Sequence, residues 1–148
     1  MNATKRLQTV RLGAEHHAEI VALWRRAGLH VRPDGRDSLE AFRQQMAVGV
    51  QTPIGLRDGQ HLVAVVLATH DGRKGWINRL AVDPAYRRRG LALHLIRLCE
   101  EHFRSLGIEV WAALIEDWNQ ASLALFRAAG YHLHDDITYV SRRTRADV

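Results

Sequence analysis

The sequence is short of the features that mark an exported or membrane-bound protein. Its one cysteine, Cys99, excludes an internal disulfide and fits a reducing compartment. Long apolar runs are missing: LVAVVLA at 62–68 falls far short of the ~20 residues that a membrane span needs. The opening MNATKRLQTVRL holds no apolar core of the length a secretory signal requires. No internal repeat, low-complexity run or Ser/Gly linker divides the chain, so 1–148 is expected to form a single domain. A chain of this length can bury roughly two-thirds of its unfolded surface. The expectation from these absences is a cytoplasmic domain with no membrane partner.

What is present is an ordinary globular composition, 47% hydrophobic and 25% charged. Lys and Arg number 21 against 16 Asp and Glu, for a formal net charge of +5. An isoelectric point of about 10.1 favours anionic partners. Nucleic acid, an acidic membrane surface and a phosphorylated cofactor all qualify, and charge does not choose among them.

QTVRLG at 8–13 reads as an opening strand, and Ile20, Leu23, Trp24 and Ala27 recur at helical spacing before Gly28, which predicts a helix over 14–27. Ser38 caps a second, shorter helix. IGLR at 54–57, Asp58-Gly59 and HLVAVVLATH at 61–70 form a hairpin, and Asp71-Gly72 leads into KGWINRLAV at 74–82. From Gly90 the period changes: Leu91, Leu95, Leu98, Cys99, Phe103 and Leu106 mark one face of a long helix ending at Gly107. IEVWAALI at 108–115 reads as a strand, 117–129 as a helix, and YHLH and ITYVS as one or two final strands. The order is mixed α/β (α+β): an antiparallel meander feeding a parallel strand–helix–strand crossover.

The stretch VDPAYRRRGLALHLI at 82–96 sets Arg87, Arg88 and Arg89, which repel one another, directly before Gly90. A helix N-terminus carries unsatisfied N–H groups and about half a positive charge, so it is a ready phosphate site. Gly90 admits a ligand to the backbone, Ala92 keeps the first turn slim, and guanidinium groups suit phosphate oxygens. The common phosphate loops are absent: there is no G-x-x-x-x-G-K-[ST], and one glycine cannot make the dinucleotide fingerprint. Taken alone, the arginines could equally be solvated surface and Gly90 a turn.

RRRGLA at 87–92 matches R-x-x-G-x-[GA] and follows LAVDP, and NQASLALFRAAGY at 119–131 is similar to N-x-x-A-x-x-[LF]-Y-x-x-x-G-[FY]. Both blocks, in this order, are those of the GCN5-related N-acetyltransferases, the GNAT family, and the chain resembles a small, single-domain bacterial member. The resemblance runs from about Gln8 to Arg143; its specific part is 76–131. It implies the GNAT fold: a mixed, mostly antiparallel sheet of about six to seven strands with about four helices and splayed central parallel strands. It implies acetyl-CoA as co-substrate, with the pyrophosphate on backbone amides of Arg87, Arg88, Arg89, Gly90, Leu91 and Ala92. The pantetheine arm would run along Leu80, Ala81 and Val82, in a groove opened by divergence from the strand at Glu109–Leu114. Asn119 resembles the asparagine that hydrogen-bonds this arm, and it also suits helix capping. Leu123 and Phe126 share its helical face.

The implied reaction is direct attack of a primary amine on the thioester in a ternary complex. A lysine-like amine with a pKa near about 10.4 is only about a thousandth neutral near physiological pH, a cost of about 4 kcal/mol that a base or a desolvating pocket must offset. Polarising the thioester carbonyl falls to a backbone N–H of the strand matching Val82. The chain departs from the family at two points. Where many relatives carry a fourth-strand glutamate this sequence reads Trp76-Ile77-Asn78-Arg79, and the fifth-strand alternative aligns with Leu114. Glu116 and Asp117 lie just beyond, and Glu116 is the candidate base, acting through a water; both also suit flanking the next helix. His70 and Tyr139 are weaker candidates for the base. The tyrosine that protonates the leaving thiolate aligns with Phe126, so that role is not transferred; Tyr139 is the candidate replacement. A thiol of pKa about 8.5 leaves tolerably as thiolate near neutrality.

Acceptor contacts are expected from Trp24, His30 and Asn78. Arg25, Arg26 and Arg32 suit an acceptor bearing carboxylate or phosphate, whereas Asp135 and Asp136 suit a cationic amine, so small molecules, protein N-termini and lysine side chains stay open. No metal is expected: His132 and His134 beside Asp135-Asp136 read as a solvated strand. Nucleic-acid binding is disfavoured, because Arg87–Arg89 and SRRTR at 141–145 make no continuous basic helix face. A non-catalytic acyl-CoA-binding regulatory protein is the alternative that keeps the fold. Relatives are often dimers; no feature of this sequence decides for or against a homodimer.

Overall fold

The computed structural model describes residues 7–148. Five strands form one sheet in sequence order: β1 (Gln8–Arg11), β2 (Gln51–Asp58), β3 (His61–His70), β4 (Gly75–Val82) and β5 (Trp111–Ala112). The first four pair antiparallel and β4 pairs parallel with β5, as the meander and crossover predicted. Helices α1 (His17–Arg26) and α2 (Leu39–Ala47) connect β1 to β2, α3 (Leu91–Ser105) connects β4 to β5, and α4 (Gln120–Ala128) follows.

The helices cover both faces of the sheet, which explains the sequence of β3. A strand covered on one face alternates; one covered on both reads as an unbroken apolar run. Val63, Val65 and Val66 are fully buried. Val63 and Val66 join the cluster built by Leu91, Leu95, Ile96, Cys99 and Phe103 of α3 with Phe126 of α4. Val65 and Leu67 join the cluster of Ile20, Leu23 and Trp24 of α1 with Phe42 of α2. Each large side chain buried this way contributes about 1.5–3 kcal/mol.

Two local devices shape β4. Gly75 opposes the ring of Phe103 so closely that a Cβ there would stand 2.7 Å from it. Between the pairs Val65↔Ala81 and Leu67↔Asn78 the strand carries one extra residue, so Arg79 and Leu80 together face Val66. This bulge puts Arg79 in the left-handed region at φ 54°.

The sheet has five strands where about six to seven were expected. Of the strand expected over 108–115 only Trp111–Ala112 is formed, and residues 131–148 form none. Asp135 and Asp136 interrupt the second tract with residues that strands disfavour, and a two-residue β5 offers little edge to pair with.

Candidate active site

β4 and β5 touch only at their beginnings, through Gly75↔Trp111 and Trp76↔Ala112. Beyond this point they separate. The result is a groove of about 790 Å³, with Ile77 and Arg79–Val82 on one wall and Ala113–Glu116 on the other. Its floor and ends are made by Ala27 and Leu29 after α1, by the start of α3, and by Asn119, Ser122, Leu125 and Phe126 of α4.

The start of α3 is the most polar part of this surface. Gly90 is its N-cap at φ 75°, with no side chain to accept from the first turn. The earliest turn bond there is His94 N–H to the Gly90 carbonyl, at 3.1 Å. The N–H groups of Leu91, Ala92 and Leu93 therefore have no acceptor among the described residues, and all three residues line the groove. Helices α2 and α4 differ. Ser38 Oγ accepts from Ala41 N–H at 3.1 Å at the start of α2, and Asn119 Oδ1 from Ser122 N–H at 3.2 Å at the start of α4. An uncapped N-terminus of a fifteen-residue helix, opening on a groove, is built to receive an anion.

Asp83 fixes the loop ahead of α3. Its carboxylate accepts from Ala85 N–H at 2.9 Å through Oδ1 and from Arg26 Nε at 3.1 Å through Oδ2, with His61 Nε2 at 3.4 Å. The Ala85 N–H above all, then Arg26 and His61, hold this buried carboxyl below its ordinary pKa against the opposing effect of burial. The loop then bends back with Arg88 at φ 63°. Arg87 and Arg88 reach the groove; Arg89 lies over the Tyr86 ring at 4.8 Å and donates to the Ala85 carbonyl.

The Acetyltransferase (GNAT) family profile matches residues 17–131. The chain belongs to the GNAT family. An uncharacterized N-acetyltransferase of Bacillus subtilis, YfmK, is 35% identical over 86 residues, covering 57% of this chain and 56% of that protein. The matched segment thus spans little more than half of that relative. A predicted acetyltransferase of Clostridium acetobutylicum crystallised with acetyl-CoA superposes with a TM-score of 0.78 at 12% identity, over 91% of this chain and 96% of that one. The aminoglycoside N-acetyltransferase AAC(6')-Iy, bound to a bisubstrate CoA analogue, gives 0.78 at 14% identity over 93% and 98%. At these identities the two structures establish a shared GNAT fold.

Within that fold the expected residues fall into two sets. Leu80, Ala81, Val82, Arg87, Arg88, Gly90, Leu91, Ala92, Asn119 and Phe126 meet at the groove, and Glu116 stands exposed at its β5 wall. Asn119 caps α4 through Oδ1 and also lines the groove. Phe126 is buried against the edge of Tyr131, with ring centroids 5.1 Å apart.

The others stand elsewhere. Tyr139, 69% exposed, and His30, also exposed, are not among the groove residues. Asn78 donates to Thr69 Oγ1 at 2.8 Å. Trp24, expected at the acceptor, is a core residue with 1% of its surface exposed; the helical spacing that exposed its pattern is the one that turns it onto the sheet. His132 and His134 pack edge-on at 4.6 Å, and no group of three or more potential metal ligands occurs among the described residues. No helix among them is long and apolar enough to cross a membrane.

Sequence reasoning missed Arg79. Its guanidinium stacks on the Trp24 ring at 4.2 Å, and the residue lines the groove. The available signal was a charge inside the otherwise apolar WINRLAV.

Proposed function

We propose that the protein transfers the acetyl group of acetyl-CoA to a primary amine. The observation that carries this reading is the groove between diverging β4 and β5 that ends on the uncapped amides of α3 beside Arg87 and Arg88. The pyrophosphate sits on the Leu91–Leu93 amides, and the pantetheine arm follows Leu80–Val82 with Asn119 and Phe126 opposite. The ammonium gives one proton to Glu116 through a water, the neutral amine attacks the carbonyl carbon, and the second proton on nitrogen passes to solvent as the amide forms. A C–N bond forms, the C–S bond breaks, and CoA leaves as thiolate. The bulge at Arg79–Leu80 frees backbone from the ladder where the thioester oxygen needs a donor. A reducing cytoplasm suits the lone buried Cys99.

Calorimetric titration with acetyl-CoA of the wild type and of Gly90→Glu tests this reading. A Cβ added at Gly90 meets no atom within 4 Å, so the variant begins in open space and sets a negative charge against the pyrophosphate. The left-handed backbone at φ 75° adds about 1–2 kcal/mol of strain. Micromolar binding by the wild type and none by the folded variant is the expected result; a folded wild type that ignores acetyl-CoA sinks the proposal. The phenylalanine at 126 and the exposed Glu116 also favour a second reading, an acyl-CoA-binding regulator. That protein would bind acetyl-CoA and release no free thiol with any amine.

A further inference from the structure

The α1–α2 connection gathers Arg32, Arg36 and, from β4, Arg79 around one carboxylate, Asp37. Asp37 is 8% exposed and is already engaged: its Oδ2 accepts from the Arg32 N–H at 2.8 Å, and the same oxygen lies 3.7 Å from Arg79 Nη2, beyond hydrogen-bond reach. Burial, opposed by the Asp37 charge and reinforced by the nearby Arg36 charge, holds Arg79 below the usual arginine range. Three buried donors in this cluster have no partner: Arg32 Nε and both Nε and Nη2 of Arg79. Unpaired buried donors on a charged group are costly, and so is a non-glycine residue in the left-handed region. Arg79 carries both costs at a position that lines the groove, one residue ahead of the segment assigned to the pantetheine arm.

We propose that Arg79 receives an anionic group, carboxylate or phosphate, carried by the amine acceptor. The substrate class is then a small acidic amine: an amino acid or an aminoalkyl phosphate. This inference rests on the acetyl-transfer reading above and narrows its acceptor. An anion that meets Arg79 from the groove balances a guanidinium charge that Asp37, at 3.7 Å, offsets only in part, and the Trp24 ring holds the guanidinium plane in place. The same cation repels polycationic acceptors such as aminoglycosides.

The test is calorimetric titration of amines into the protein saturated with CoA, which needs no turnover. The panel pairs each amino acid with the amine left by its decarboxylation, and adds O-phosphoethanolamine with ethanolamine, and kanamycin. At least one acidic amine should bind about ten- to a hundredfold tighter than its uncharged-tail counterpart, the range for charge-assisted hydrogen bonds. The carboxylate and phosphate arms separate the two sources of the anion. Arg79→Gln should erase the discrimination between acidic and uncharged-tail amines, with CoA affinity measured alongside for each variant; Arg79→Lys should restore part of it. Binding confined to cationic amines or kanamycin, no binding of any acidic amine, or discrimination that survives in Arg79→Gln overturns the proposal. The wild-type comparison stands even where a variant does not fold. Failure to bind CoA or acetyl-CoA at all instead removes the acetyl-transfer reading itself.

Discussion

Asp83 joins the end of β4 to the loop ahead of α3, and removing its side chain measures how far that loop depends on it. Asp83→Ala deletes the acceptor for Ala85 N–H, a helix-cap bond whose loss costs about 1 kcal/mol. It also deletes the ion pair with Arg26, whose side chain is 39% exposed, so water replaces part of that contact and about 1 kcal/mol more is lost. The sum, about 2 kcal/mol, corresponds to a fall in Tm of about 4–8 °C for a chain of this size. Asp83→Asn keeps an oxygen for Ala85 N–H and gives up the charge, so it should cost about half as much. The pH dependence has a definite sign. Because the Ala85 N–H, Arg26 and His61 hold the folded carboxyl below its unfolded value, its contribution is complete above the unfolded pKa of about 3.9 and disappears as pH falls through the folded value. Urea and thermal unfolding across this window should show the gap between wild type and Asp83→Ala closing in acid. A gap below about 0.5 kcal/mol at neutral pH, or one that stays constant into acid, refutes the reasoning.

Two further changes probe how the groove is held open. Gly75→Ala drives a methyl group to 2.7 Å from the Phe103 ring, itself stacked on Trp111 at 5.9 Å, and should cost about 1–3 kcal/mol by urea unfolding. A loss near zero would mean that the ring yields freely and that Gly75 does not set the spacing of β4 and α3. Tyr131→Phe removes the donor that reaches buried Glu100 at 2.6 Å and leaves Glu100 only Arg97 at 2.9 Å, a cost of about 1–2 kcal/mol at neutral pH. Burial, then the bond to Glu100, push the Tyr131 pKa up, so wild-type stability should decline above about pH 10 as the unfolded chain ionises first. Tyr131→Phe should lack that part of the decline, and identical alkaline profiles would refute the assignment.

Much of the architecture was legible because the sequence repeats its message at several scales. Leu91, Leu95, Cys99 and Phe103 stand at four-residue steps, and these side chains are the buried face of α3. Gly90 reads as a helix start both by its conformational freedom and by the change of period, and it is one. The C-terminal strands fail for the opposite reason. A run such as ITYVS has strand composition, but a strand also needs an edge to pair with, and the divergence that opens the groove shortens β5 to Trp111–Ala112. The feature that makes the site removes the partner that the tract would require, and composition cannot register that.

Arg79 lies against Trp24, and one inserted residue in β4 brings it there. Strict alternation along WINRLAV from Ile77 would send Arg79 and Ala81 to the α3 side and Leu80 and Val82 to the other. In the structure Leu80 and Val82 pack with the α3 cluster and Ala81 with the α1 cluster, because the bulge inserts one residue and reverses the parity of everything after it. Arg79 is thereby carried to the α1 face and onto Trp24, which helical spacing had already committed to the core. A bulge has no signature in a single sequence beyond the extra residue itself. A charge that breaks the apolar rhythm of a central strand is therefore the place to look for one. In this chain it marks a cation that lines the groove with buried donors left unpaired.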